Sequence, residues 1–138
     1  MDSTKMMRGI IPGIMAGYVF MAFMGPGMAD MVGGMISADA LIGFILHIVI
    51  SAVIGAVYTG VFTEFVQMNN PLLDIAVGGL IYGVIWWIVG GLIVMPAIAG
   101  GNILQSSLTD PSLFGHIIFG HVLAFLVVLR NAAMGMDN

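Results

Sequence analysis

Four long stretches of the chain carry no charged residue, and turn residues cluster between them. The stretches lie between Arg8 and Asp30, between Asp39 and Glu64, between Asp74 and Asp110, and between Asp110 and Arg130. A bilayer core ~30 Å thick needs about 20 mostly apolar residues in a helix. The pattern therefore predicts an all-α integral membrane protein, a four-transmembrane-helix bundle that forms one domain over residues 1–138, with spans at about 8–28, 39–64, 74–96 and 111–131.

The predicted spans begin with residues that are typical of helix starts. Ser37 or Asp39 is expected to cap the second span, and Asp110 the fourth, because short polar side chains accept hydrogen bonds from the first free backbone N–H groups. Pro111 suits the first helical position, where no N–H is needed.

A weak internal repeat relates the two halves of the chain. Gly9 and Gly13 recur 70 residues later as Gly79 and Gly83, and His47 recurs 69 residues later as His116. Two spans in each half would give two tandem helical hairpins of the same topology. The alternative is chance similarity between glycine-rich apolar segments.

The composition agrees with lipid as the main solvent. Hydrophobic residues make up 60% of the chain and charged residues 7%, with a mean hydropathy of +1.12, whereas soluble domains carry about 25% charged residues. A net charge of −4 argues against nucleic acid as a partner, since nucleic-acid binding needs a basic face. The lack of cysteine excludes disulfides and thiolate metal sites.

The few basic residues predict the orientation. Lys5, Arg8 and Arg130 flank the chain ends, while the loops at 29–39 and 97–110 carry none. By the positive-inside rule, we expect both termini to face the cytoplasm, with the protein in the cell membrane or inner membrane.

Lys5 and Arg8 ahead of an apolar segment also fit a signal peptide. Because that segment has the length of a full span, we expect a retained first helix.

Small residues recur every fourth position on three predicted spans. They are Gly9, Gly13 and Gly17 in the first, Ser51 and Gly55 in the second, and Gly79 and Gly83 in the third. This spacing lets helix backbones approach closely in lipid. The contacts could lie within this chain or with another subunit, and we expect both.

Methionines form a second pattern near the end of the first span. Met21, Met24, Met28, Met31 and Met35 would make one thioether stripe on a continuous helix. Thioethers are ligands that suit Cu(I). The alternative is ordinary packing, because methionine fills irregular gaps and Gly25-Pro26-Gly27 is expected to break the helix.

Histidines inside membrane spans face a bundle interior or a cavity, because hydrocarbon offers no hydrogen-bond partner. His47 and His116 are expected to meet at one depth in the outward half of the membrane, with His121 pointing elsewhere. The candidate metal ligands are therefore His47, His116, Met28, Met31 and Met35, with copper as the candidate metal. The alternative is neutral imidazoles bonded to a hydroxyl or a helix carbonyl.

Part of the chain resembles a broad group of small prokaryotic membrane proteins of unknown function. The similarity lies in Tyr82-Gly83-Val84-Ile85-Trp86-Trp87 through Met95-Pro96, followed by Leu113-Phe114-Gly115-His116-Ile117-Ile118-Phe119-Gly120. It covers roughly residues 40–130. The resemblance implies a compact four-helix membrane fold and no assigned activity.

These patterns favour a non-catalytic accessory subunit of a larger membrane complex, with lipids, other membrane subunits or further copies as partners. The sequence contains no nucleophile elbow, phosphate loop or HExxH motif, so we expect no enzyme. The alternative is a protein that handles copper, another metal ion or a small solute. It could be attached to a copper membrane monooxygenase of the methane or ammonia type.

Overall fold

The computed structural model describes residues 3–105 and 110–135, which form helices joined by short loops. The helices are α1 (Ser3–Met24), α2 (Met28–Gly34), α3 (Ala40–Phe65), α4 (Pro71–Ala99) and α5 (Pro111–Ala133). All but α2 are long and apolar enough to cross a membrane. The predicted four-helix membrane bundle is confirmed, and the chain belongs in a membrane.

The four long helices alternate in direction. α1 and α4 begin, and α3 and α5 end, at the same side of the bundle, which we call the terminal end. The side chain of Lys5 reaches Glu64 across this end, with 3.2 Å between Nζ and Oε1. The hydroxyl of Thr59 also donates to the Lys5 carbonyl over 2.7 Å. The opposite side, where α1 ends and α5 begins, is the distal end.

The first span begins and ends earlier than the predicted 8–28. α1 starts at Ser3 and stops at Met24. Gly25 then takes a left-handed conformation, with φ of +88°, and Pro26 has no N–H to continue the helical ladder. The chain restarts as α2 at Met28, so the predicted break between Met24 and Met28 is present.

The predicted caps are also present. Asp39 Oδ1 accepts the Ile42 N–H over 3.0 Å at the start of α3. Asp110 Oδ1 accepts the Ser112 N–H over 2.8 Å at the start of α5. Each carboxylate satisfies a backbone donor that has no partner inside its helix.

The first hairpin is held by a glycine contact between α1 and α3. A Cβ built on Gly55 would collide with the Gly9 carbonyl and with Gly13 Cα, and one built on Gly13 would collide with the Ser51 carbonyl. Gly17 lies against the Ser51 side chain in the same way. Only hydrogen atoms in place of side chains allow this approach of the two backbones.

The second hairpin has a similar contact between α4 and α5. A Cβ on Gly120 would collide with the Gly79 carbonyl and with the Gly83 backbone, and one on Gly83 would collide with the His116 carbonyl. The glycine pairs Gly9–Gly13 and Gly79–Gly83 thus both form close backbone contacts within their own hairpin, and the internal repeat stays a prediction. The small residues singled out in the sequence are used for contacts within this chain.

The two hairpins meet around buried aromatic residues. α1 packs against α5, with Ala16 and Phe20 on one side and Leu123 and Ala124 on the other, all 6% exposed or less. The Tyr82 hydroxyl of α4 donates to the Ile54 carbonyl of α3 and links the hairpins on their other side. The bundle is therefore closed through contacts of all four long helices.

Candidate functional site

The two predicted histidine ligands lie in the distal half, inside the bundle. His47 is 9% exposed, and its Nε2 lies 3.0 Å from the Gly17 carbonyl oxygen of α1. His116 Nδ1 lies 2.7 Å from the Ser112 carbonyl oxygen, one turn earlier in α5. Because a carbonyl only accepts, each of these ring nitrogens carries the proton and donates it.

One aromatic ring contacts both imidazoles. The centroid of the Phe20 ring lies 5.5 Å from that of His47, in a stacked arrangement, and 4.9 Å from that of His116, edge to face. His121 is separate, because its Nδ1 donates to the Ile117 carbonyl of its own helix over 2.8 Å. The structure thus places His47 and His116 at similar depth beside a shared phenyl ring.

The predicted methionine ligands do not point to one place. Met28 is 5% exposed and belongs to the buried core, whereas Met31 is 46% exposed and Met35 is half-buried. The described residues contain no group of three or more histidine, cysteine, aspartate or glutamate side chains that could hold a metal. The copper site made of His47, His116 and these methionines stays a prediction.

A second polar region, which the sequence analysis missed, lies at the terminal end. A cavity of about 260 Å³ opens there between all four long helices. We call it the terminal cavity. Its lining is Lys5 and Arg8 of α1, Tyr58, Thr59, Thr63 and Glu64 of α3, Val66 and Gln67 of the following loop, Asp74 of α4, and Val127, Val128 and Asn131 of α5.

Two of the four charged residues form a pair at the rim. The Lys5 and Glu64 side chains are 47% and 44% exposed, and they neutralise each other at 3.2 Å. An ion pair this exposed contributes little to stability, at most about 1 kcal/mol. Because Lys5 and Glu64 neutralise each other, Arg8 and Asp74 are the two charged lining residues outside this ion pair.

The other two charged residues lie deeper and are not paired with each other. Asp74 is 9% exposed, and its Oδ1 accepts the Met68 backbone N–H over 2.9 Å. Arg8 is half-buried and forms no ion pair with another residue of the described ranges. A cation and an anion thus line one small cavity without neutralising each other directly.

Tyr58 adds a buried hydroxyl to this lining. Its side chain is 3% exposed, and the hydroxyl lies beside Gly78, 3.8 Å from where a Cβ on that glycine would stand. Within residues 3–105 and 110–135, no protein group makes a hydrogen bond to this hydroxyl.

Both Tyr58 and Asp74 begin π-helical turns, Tyr58–Phe62 in α3 and Asp74–Gly78 in α4. Such turns often occur at functional sites.

Only an indirect signal for the terminal cavity is present in the sequence. Arg8, Glu64 and Asp74 each stand at the edge of an uncharged stretch, and Lys5 lies three residues before Arg8. Which of them share one space depends on how four helices are rotated against each other, and no local pattern records that.

Comparison with protein-family models, curated proteins and solved structures finds no match to this chain. The resemblance to small prokaryotic membrane proteins stays a prediction, and the function has to be argued from the geometry of the site.

Proposed function

We propose that this chain is a non-catalytic membrane protein that binds a small polar solute in the terminal cavity. The observation that carries the proposal is that Arg8, Asp74 and the Tyr58 hydroxyl line one partly enclosed space, and that no ion pair or hydrogen bond joins any two of them in the described structure. Groups that line a partly enclosed cavity and have unused hydrogen-bonding capacity can take partners from a bound solute in place of water. A polar solute would supply those partners.

The size of the cavity limits the solute. Pockets for drug-sized ligands measure about 300–1,000 Å³, and the terminal cavity measures about 260 Å³. The occupant is therefore a small metabolite. Because α1, α3, α4 and α5 all contribute lining residues, a bound solute would contact both hairpins and stabilise their association.

Ligand-induced stabilisation tests the proposal. The purified protein, in detergent or nanodiscs, is heated with panels of amino acids, amines, carboxylates and phosphates. We expect one class to raise the melting temperature by about 5 °C when its concentration is well above its Kd.

The matched variants are Val128→Phe, which places a larger side chain in the cavity wall, and Leu129→Phe on the neighbouring, 54% exposed position. The first is expected to abolish the shift and the second to preserve it. If no panel member shifts the melting temperature, or if Val128→Phe responds as the unaltered chain does, solute binding in this cavity is wrong.

We also propose that the terminal end faces the cytoplasm. Lys5, Arg8 and Arg130 all belong to this end, and the described part of the opposite end carries no lysine or arginine. A fluorescent protein that folds only in the cytoplasm is expected to be bright when it is fused to either terminus and dark when it is inserted after Gly101. The reverse result would invert the orientation and make the cavity open outward.

Two functions predicted from the sequence, a role as accessory subunit and copper handling, stay predictions with tests of their own. A role as accessory subunit of a larger complex is compatible with solute binding, and a co-migrating membrane protein after purification in mild detergent would support it. Copper handling predicts about one equivalent of copper that is lost when Met28, Met31 and His47 are replaced. A metal-free monomer would count against both.

A further inference from the structure

We propose that the solute of the terminal cavity is a zwitterion, a molecule that carries an anionic group and an ammonium group a few bonds apart. This inference rests on the proposed function, because it assigns the chemical class of the ligand to the same cavity. It follows from the way in which the four charges of the lining are divided between rim and interior.

The lining as a whole is neutral. Lys5 and Arg8 balance Glu64 and Asp74, and the exposed pair of Lys5 and Glu64 is already neutralised at the rim. A lone anion that bound Arg8 would leave the Asp74 carboxylate unpaired in a partly desolvated space, and a lone cation would leave Arg8 unpaired. Leaving one of the two charges without a counter-charge weakens binding relative to a ligand that pairs with both. A ligand with both charges satisfies both residues.

The available atoms fit such a ligand. The planar guanidinium of Arg8 can donate two parallel hydrogen bonds to a carboxylate or a phosphate. Oδ1 of Asp74 accepts the Met68 N–H, whereas no described protein group bonds to the second carboxylate oxygen, which is left to accept from an ammonium group. The buried Tyr58 hydroxyl can donate to the anionic group or accept from the ammonium group.

The position of the cavity allows two sources of the same chemistry. Because the cavity lies at the ends of the spans, its occupant could be a free amino acid from the aqueous side. It could also be the ethanolamine phosphate headgroup of a membrane lipid. Both present an ammonium and an anionic group at short separation, and both are small enough for about 260 Å³.

The ligand class is tested by calorimetry and thermal unfolding of the full chain in nanodiscs that lack primary-amine lipids. The probes are glycine, O-phosphoethanolamine, acetate, phosphate and methylammonium. We expect one of the two zwitterions to bind at least about tenfold more tightly than any singly functional probe. Arg8→Gln and Asp74→Asn are each expected to remove most of this advantage, whereas Arg130→Gln and Asp30→Asn, outside the cavity, are expected to preserve it.

A second arm separates the two sources. Nanodiscs that contain phosphatidylethanolamine are compared with nanodiscs of phosphatidylcholine and phosphatidylglycerol. If the lipid headgroup is the ligand, phosphatidylethanolamine raises the melting temperature and blocks O-phosphoethanolamine, and Arg8→Gln removes both effects. If a free zwitterion is the ligand, its affinity is the same in both lipid mixtures.

The failure of the inference differs from failure of the proposed function. If phosphate or acetate alone binds as tightly as the zwitterions, and Asp74→Asn has no effect, the cavity is an anion site. The assignment of a zwitterionic ligand is then wrong, whereas the proposal of solute binding stands. If methylammonium alone matches the zwitterions and Arg8→Gln has no effect, it is a cation site. If no probe or lipid binds, the proposed function fails as well. Because the preference of the unaltered chain among the probes decides between these outcomes, the test does not depend on every variant folding.

Discussion

Replacing Gly55 by alanine is expected to destabilise the bundle by about 3 kcal/mol or more. The new Cβ would collide with backbone atoms of Gly9 and Gly13, and backbone cannot rotate aside as a flexible side chain can. α1 and α3 would have to separate, which would disturb the Gly17–His47 hydrogen bond on the same contact. Overpacking of a tight core typically destabilises a protein by about 1–3 kcal/mol. Because neither backbone can move aside, we expect the destabilisation here to lie at or above the upper end of that range.

Gly27→Ala is the matched control for this prediction. A Cβ on Gly27 meets nothing within 4 Å, and the residue has φ of −76°, so alanine fits without strain. Equilibrium unfolding by sodium dodecyl sulfate, followed through the fluorescence of Trp86 and Trp87, would measure both variants. Equal stability of Gly55→Ala and Gly27→Ala would show that α1 and α3 do not meet through this glycine contact.

Phe20→Ala is expected to lower the free energy of unfolding by about 2 kcal/mol. Phe20 is 6% exposed, and its ring contacts His47, His116 and Phe119. In soluble proteins this substitution destabilises by about 3–5 kcal/mol, a value that includes transfer of the ring from water. In a membrane the separated helices remain in hydrocarbon, so only the lost packing contributes and the expected effect is smaller.

Phe23→Ala provides the control on the same helix. Phe23 is 47% exposed on the outside of the bundle, where lipid chains can occupy the space that the ring leaves. Its replacement is expected to change the free energy of unfolding by less than about 0.5 kcal/mol. If both variants lost the same stability in the same unfolding experiment, Phe20 would have to face lipid, and the shared environment of the two histidines would be wrong.

The sequence by itself determined the membrane fold and much of its local structure. Uncharged stretches long enough to span a bilayer leave a chain of this size no alternative to transmembrane helices, because their backbone groups must be satisfied internally. Asp110 could be assigned as a cap, Asp39 as one of two candidates beside Ser37, and Gly25-Pro26-Gly27 as a helix break. Each of these depends on residues that are neighbours in the chain.

The tertiary structure alone decided which glycines meet, where the histidines find their partners, and that a polar cavity exists. The repeat of Gly9 and Gly13 predicts a close helix contact but not that Gly55 is opposite to them. Hydropathy shows how much of each helix lies in lipid, whereas the rotation and depth of one helix against another depend on steric contact between residues far apart in sequence. Arg8 and Asp74 line one cavity because the glycine contacts fix the geometry of each hairpin, and the packing of Phe20 and Tyr82 fixes how the two hairpins meet.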